Sequence, residues 1–280
     1  MNELKQGSSQ WLELRKQYVT ATDSAVILGL SPYKTQYKLW RQKMDLDTPD
    51  VETERMREGT RLEPLAREWI EKRMSKTFTP KVVFKDFMMS SLDGLSKRGE
   101  MIIEIKCGSK SFSQAEDGEI SRMYICQMQH QMHCAEVDHC LYVAFNGERG
   151  IIIPVERDQN FINQMIEKER EFYECLISFT PPQMTTKDYH QRSDQEWNCL
   201  AENYRNAYQD LKRAEQLEKD LRKELISLAG EQSSQGAGIK LSKIPRKGMV
   251  DYSIIPELCN VDLEQYRKQP IEYWKLSVNE

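Results

Sequence analysis

The chain has 280 residues, a formal net charge of −4 and 39% hydrophobic residues, which is long and apolar enough to bury a sizeable core. Neither the first 180 residues nor the remainder is basic, so a general polycationic coat for nucleic acid is excluded and any such contact must come from local placement of cations. The seven cysteines are odd in number and lack framework spacing. With no signal peptide and no apolar run of membrane-spanning length, they predict a soluble cytoplasmic protein in a reducing compartment, with no membrane partner.

Near the N-terminus, Ser8 or Ser9 is placed to cap a first helix carrying Trp11, Leu14 and Arg15, and Thr22 to cap a second that begins at Asp23. An arginine beside a hydroxyl-capped helix start makes a reasonable phosphate pocket, although a cap with a surface arginine reads the same residues more simply. Lys34, Lys38, Arg41 and Lys43 follow on a helical stretch and are candidate backbone contacts for nucleic acid.

Residues 55–74 read as one helix, with Met56, Gly59, Leu62, Leu65, Ala66, Trp69 and Ile70 recurring at about 3.6 residues. Pro64 predicts a kink or a restart. Glu63 sits among apolar neighbours near the core face, where a carboxylate needs a partner. It is either a metal ligand or the ion-pair partner of Arg61 or Arg67.

The densest chemistry lies in Ser91-Leu92-Asp93-Gly94 and, after a short connection, Ile102-Ile103-Glu104-Ile105-Lys106. Side chains alternate along a strand, so Glu104 and Lys106 share one face while Ile103 and Ile105 point into a core. Gly94 and Gly99 bracket a polar connection that suits a hairpin returning Asp93 across from Glu104. Two close carboxylates repel, and Mg²⁺ neutralises them because it prefers oxygen ligands. Beside them Lys106 would stabilise negative charge at a scissile phosphate. The simpler reading is an exposed cross-strand ion pair.

Residues 121–135 form another helix, with Tyr124, Gln127, Gln131 and Cys134 at helical spacing; its glutamines either hold a phosphate oxygen or a water, or make an ordinary solvated face. His130 and His133 with Cys126 and Cys134 lack the paired spacing of a structural zinc site. After Thr180-Pro181-Pro182 the composition changes. From Trp197 to Leu228 an apolar stripe recurs at three and four residues, which predicts a long helix or helical hairpin packed on the core or against another subunit. Residues 230–238 read as a flexible connection. Residues 239–244 and 249–252, followed by Tyr266 and Tyr273-Trp274-Lys275, read as a small strand-containing appendage that contacts DNA or caps the helix.

Trp11 with Arg15, Thr20-Ala21-Thr22, Gly59 with Glu63, Ser91-x-Asp93-Gly94, Glu104-x-Lys106, and Tyr124 with Gln127 and Gln129 together resemble the YqaJ-type viral recombinase (lambda exonuclease) family of the PD-(D/E)xK nuclease superfamily, over roughly residues 6–180. The resemblance implies a Mg²⁺ site, with Mn²⁺ as a substitute, held by Asp93, Glu104, Glu63 and Ile105. It implies catalytic roles for Lys106, Glu104, Asp93 and Gln127, and a DNA 5′-phosphate pocket of Arg15, Thr22 and Ser91. Trp11, Tyr124, Gln129, Lys97 and Arg98 are the implied further DNA contacts. Thr22 stands where family members carry Ser, and Leu92 stands where the superfamily motif has Pro. The activity implied is 5′ to 3′ digestion of double-stranded DNA from its ends, leaving 3′ single strands for a single-strand annealing protein, by a homo-oligomer of three chains in a phage or prophage context. An internally cutting endonuclease and a non-catalytic binding module are the alternatives. Iron–sulfur members of the superfamily are disfavoured, since no tight C-terminal cysteine cluster is present. The architecture expected is α/β: a restriction-endonuclease-like core over residues 1–182, with a central mixed sheet that includes strands at 137–145 and 150–155 and is flanked by helices. Residues 183–280 are expected to add a long helix and a small strand-containing appendage.

Overall fold

The computed structural model describes residues 4–48 and 53–244, which divide into one compact unit up to His190 and a second from Gln191. The chain opens with α1 (Ser9–Gln17), whose first turn is capped by the Ser8 hydroxyl accepting from the Trp11 N–H at 3.2 Å. A two-residue strand β1 (Val19–Thr20) leads directly into α2 (Ala21–Ile27). The cap of α2 is Thr20 rather than Thr22, because the Asp23 carboxylate reaches back three residues to accept the Thr20 N–H at 2.8 Å. Thr22 is thereby left exposed on the first turn.

Next come α3 (Gln36–Lys43) and α4 (Glu54–Met74), the latter running through Pro64 without a restart. Only part of the expected apolar stripe is covered. Leu62, Ala66 and Ile70, spaced by four residues, are buried, while Met56 and Leu65 are exposed. The central sheet comes next as β2 (Phe78–Lys85), β3 (Met88–Ser96) and β4 (Met101–Cys107). Helices α5 (Ser109–Glu116) and α6 (Arg122–Ala135) then carry the chain over to β5 (His139–Phe145), β6 (Gly150–Glu156) and α7 (Gln159–Ile177).

The sheet has six strands in the order β1-β3-β4-β5-β6, with β2 paired to β3. The β1/β3 and β4/β5 pairs are parallel and the others antiparallel, so the expected mixed sheet is the one formed. A parallel β4/β5 pair requires a crossover, which α5 and α6 supply. One face packs Ala66 and Ile70 of α4 on Ile103, Ile105, Val143 and Phe145. The other packs Phe112 of α5 with Met128 and Met132 of α6 on Leu92, Ile102 and Tyr142. Burying side chains of this size contributes about 1.5–3 kcal/mol each, which fixes which face of β4 looks where.

Two irregularities in β3 set the geometry around Asp93. The β2/β3 register shifts between Thr79 and Lys81, opposite Leu95 and Leu92, so Asp93 and Gly94 together face Pro80. Proline donates no ladder hydrogen bond, and a bulge beside it re-aims the neighbouring side chain. The expected hairpin forms, but Gly94 lies inside the strand and not at its turn: a Cβ there would stand 2.6 Å from Phe78 Cβ and 2.9 Å from Ile103 Cδ1. The turn itself comes after Ser96 and closes with the Gly99 N–H donating to the Ser96 carbonyl at 2.8 Å.

The second unit contains α8 (Gln195–Ala229), capped by Asp194, and an antiparallel pair of short strands, β7 (Ser234–Gly236) and β8 (Ile239–Leu241). The segment expected as a flexible connection thus contributes a strand. Residues 249–252, Tyr266 and Tyr273-Trp274-Lys275 lie outside the described residues. Among the described residues no helix is long and apolar enough to cross a membrane.

Candidate active site

Strand β3 is paired to β1 only at Met88 and Met89, and to β4 only at Gly94 and Leu95. Between these points the ladder is split, and the main-chain carbonyls on that edge need other donors. Helices supply them: His130 Nε2 lies 3.3 Å from the Met89 oxygen, Gln131 Nε2 donates to the Ser91 oxygen at 3.3 Å, and Arg67 Nε donates to the Asp93 oxygen at 2.8 Å. The opening is therefore lined by side chains of α4 and α6 in place of a strand. No local sequence signal announces it, because the replaced partners are distant in the chain.

Into this opening β4 presents Glu104 and Lys106, with Ile103 and Ile105 on the opposite, buried face as the alternation requires. Asp93 Oδ2 accepts the Ile105 N–H at 2.7 Å, taking over a ladder bond where the two strands part. Lys106 Nζ lies 2.5 Å from Glu104 Oε1, and Gln127 spans the pair by accepting from Lys106 at 3.2 Å and donating to Glu104 at 2.8 Å. Gln131 donates to the other Glu104 oxygen at 2.6 Å. Tyr124 covers the ammonium, 4.8 Å from ring centroid to Nζ, and stacks on Tyr142. The pair is not the exposed ion pair of the simpler reading, since Glu104 is 1% exposed.

The charge balance of the opening is strained. Burial and the neighbouring Glu104 and Glu63 push the Asp93 carboxyl well above its ordinary range. Burial also works against the Lys106 charge, but Glu104 and Asp93 outweigh it and raise that group above the usual lysine value. Lys106 is therefore an ammonium at neutral pH. Glu63 is ion-paired to Arg67, the second of its two sequence readings, and the same guanidinium also holds the Asp93 main chain.

The residues fit a hard cation in their chemistry: the buried Glu104 and half-buried Asp93 carboxylates, and a Gln131 Oε1 that is buried without a hydrogen-bond partner beside Glu104. Among the described residues no three acidic, histidine or cysteine side chains already converge as a cluster. Mg²⁺ needs only one or two carboxylates with water and substrate oxygens, which Asp93 and Glu104 provide. Ile105, whose side chain is in the core, has only its main-chain carbonyl to offer.

The residues expected to hold a terminal phosphate also lie together. Arg15 Nη2 donates to Thr22 Oγ1 at 3.2 Å, the guanidinium lies 4.6 Å from the Trp11 ring centroid, and the Trp11 indole N–H donates to Ser91 Oγ at 2.9 Å. Arg15, Thr22 and Ser91 are thus linked through Trp11, which clamps the pocket. A buried network holds it from beneath: Lys43 Nζ pairs with Asp23 Oδ2 at 2.7 Å and donates to the Arg15 and Tyr18 carbonyls. Burial pushes the Asp23 carboxyl up, but Lys43 and Arg15 hold it below its ordinary value. Lys43 is accordingly unavailable as a surface phosphate contact, contrary to its sequence reading.

Gln129 is a second correction. It is 2% exposed and its amide is consumed by the Glu156 carbonyl at 2.8 Å and the Asp158 N–H at 2.9 Å, so it anchors α6 to the start of α7 and cannot touch DNA. Its place in the site is taken by Gln131. Lys97 and Arg98 sit exposed in the turn beyond Ser96, with Arg98 3.9 Å from Glu100. Cations do line a cleft of about 690 Å³ that includes Cys107 and Tyr124, the neighbours of Lys106, but they are Arg55, Arg57, Arg61 and Lys110. His130 serves no zinc site. With Ser24 and Glu169 it forms a fully buried polar triad joining α2, α6 and α7, its Nδ1 2.9 Å from Glu169 Oε1.

The family model for the YqaJ-like viral recombinase domain matches residues 10–138. The uncharacterized protein YqaJ of Bacillus subtilis (strain 168) is 26% identical over 174 residues, 59% of this chain, and the match spans 54% of that protein, about half its length. An alkaline exonuclease (LHK-Exo) from Laribacter hongkongensis, also solved in complex with dAMP, shares the fold at a TM-score of 0.54 and 23% identity, over 62% of this chain and 94% of that one. Residues 10–138, which carry the split sheet and the groups that fill it, are the stretch of this chain that is similar to the YqaJ-like viral recombinase domain.

Proposed function

We propose that the chain is a Mg²⁺-dependent exonuclease that degrades linear double-stranded DNA from 5′ ends and leaves 3′ single strands. The observation that carries this reading is the placement of Ser91 and Asp93 two residues apart on β3, one tied to the Arg15 pocket and the other facing Glu104 and Lys106. Two residues of strand span about 7 Å, a reach comparable to one nucleotide. A 5′-phosphate held by Arg15, Thr22 and Ser91 would put the first internucleotide linkage at Asp93, so that single nucleotides are released. The dAMP bound by the Laribacter exonuclease supports a product of that size.

Asp93, Glu104 and the Ile105 carbonyl would hold the cation, with Glu63 joining once it leaves Arg67. Bound Mg²⁺ supplies charge neutralisation at the phosphate and lowers the pKa of a coordinated water. Lys106, beside Glu104, donates to the oxygens on which negative charge develops. Gln127 keeps Lys106 and Glu104 in register, and Tyr124 excludes water from the ammonium. Arg55, Arg57, Arg61 and Lys110 attract the DNA backbone into the cleft, which makes binding weaken with salt. By resemblance the exonuclease acts in the host cytoplasm as a trimer and hands its 3′ strands to a single-strand annealing protein.

Linear and covalently closed circular duplexes, offered together with Mg²⁺, test this. Loss of the linear DNA with release of mononucleotides from 5′ ends and intact circles is expected; nicked circles would favour an internal endonuclease, and no digestion of either would favour a binding module.

A further inference from the structure

Helix α8 is 35 residues long, about 52 Å, and none of its residues is buried. From Trp197 to Leu228 a strict alternation of three and four residues is nevertheless apolar at every position but Glu218, with Leu217 and Ile226 beside it. Along that stripe Leu200, Leu211 and Leu221 are each half exposed or more. Among the described residues of this unit nothing buries the seam of about five heptads, which is therefore an unfinished interface there.

We infer that the partner is α8 of a second copy of this chain, packed antiparallel. Trp197 opens the seam, and the alternation of the two seam positions continues unbroken to Leu228. Laid antiparallel on a copy of itself, the helix places Trp197 against the partner's Leu228, Leu200 against the partner's Leu225 and Tyr204 against the partner's Leu221. At the centre Leu211 meets the partner's Ala214, so a large residue faces a small one. Glu218, the one charged seam residue, meets the partner's Ala207, where the small methyl leaves room for the carboxylate and for Arg222, already 2.7 Å from it on the same helix.

A parallel pair is opposed by charge. It would place Glu218 against the partner's Glu218 in the seam, and Asp210 against the partner's Glu215 on the flank, like charges in both cases. Reversal removes both repulsions, since Asp210 then flanks the partner's Leu217 and Glu215 flanks the partner's Tyr208. The seam therefore pairs with itself in one direction, with size and charge agreeing on the same register. Chains joined this way assemble in even numbers, so nuclease units grouped in threes would be linked as a pair of threes, six chains in all. The inference stands independently of the proposed activity.

The test uses the full chain carrying Cys199→Ser. Sedimentation should give an even number of chains. Oxidation of a mixture of Ala207→Cys and Glu218→Cys chains should give the mixed disulfide, while Glu218→Cys alone should not cross-link. Leu221→Asp with Leu225→Asp should halve the assembly by weakening pairing about 100-fold or more, with the far-ultraviolet helix signal of the nuclease unit retained. A monomer or an odd assembly would overturn the inference, whether the helix is then covered by the chain's own C-terminal residues or by another protein. So would Glu218→Cys self-cross-linking, the mark of a parallel pair. The disulfide readout decides the matter even if the double aspartate variant fails to fold.

Discussion

Gly94→Ala tests how closely the site depends on strand spacing. The new Cβ would stand 2.6 Å from Phe78 Cβ and 2.9 Å from two Ile103 carbons, where ordinary contact begins at 3.4 Å. β2 must therefore withdraw from β3 by nearly an ångström next to Asp93, and the Ile103 side chain must give by about half as much. Overpacking of this kind costs about 1–3 kcal/mol. In a unit the size of Met1–His190, that lowers the melting temperature by about 2–12 °C. Activity should suffer more, because a displacement of about 1 Å between reacting groups costs on the order of 100-fold in rate. Thermal unfolding and initial rates on linear duplex measure the two effects on one preparation. Adding Ile103→Ala relieves the flexible contacts but leaves Phe78 Cβ, which is fixed to its backbone, so the double variant should stay impaired. A Gly94→Ala protein with wild-type melting and rate, or full rescue by Ile103→Ala, would refute the reasoning.

Three further outcomes are expected from the same geometry. Arg15→Ala should reduce the preference for 5′-phosphorylated over 5′-hydroxyl ends by about 10-fold or more, read as a ratio of initial rates; a wild type indifferent to the end group would contradict the pocket. Asp93 has a raised folded pKa, so its contribution to stability is present below about pH 3.9 and is lost as pH rises through that raised value. In metal-free buffer at pH 8, Asp93→Asn should accordingly melt above the wild type. Mg²⁺ should raise the melting temperature of the wild type alone, and the opposite order would remove the argument for a cation there. For His130, burial opposes the charge but Glu169 outweighs it, and the pKa rises well above the ordinary value. The stability it adds is complete below about pH 6.5 and fades as pH climbs through the raised value. Glu169→Gln should cost about 3–5 kcal/mol at pH 6 and less at high pH, as followed by urea unfolding; a cost independent of pH would mean that His130 is neutral in the fold.

Period-two alternation around Glu104 and Lys106 was legible because one face of β4 is an isoleucine face, and the long helix was legible from its stripe. Alternation also brought Asp93 to the right edge, but not the means: the bulge opposite Pro80 and the split ladder depend on β2 and β1, which periodicity within β3 cannot reveal. Gln129 and Gln131 lie two residues apart on α6 and so face differently; only the position of β6 decides that Gln129 is consumed by Glu156 and Asp158 while Gln131 faces Glu104. Thr22 and Thr20 were confused for a similar reason. Both are plausible caps, and the reach of Asp23 selects Thr20. Arg67 was named only as a helix-surface partner of Glu63, and its bond to the Asp93 main chain required the sheet to be in place.

The central claim is that Lys106, beside Glu104 and Asp93, stabilises charge on a phosphate during metal-dependent hydrolysis. Mg²⁺-dependent release of nucleotides from 5′-phosphorylated linear duplex, compared between the wild type and Lys106→Ala at equal DNA occupancy, tests it most directly. A loss of about 100-fold or more with binding nearly intact is the predicted result; hydrolysis by Lys106→Ala at the wild-type rate would contradict it.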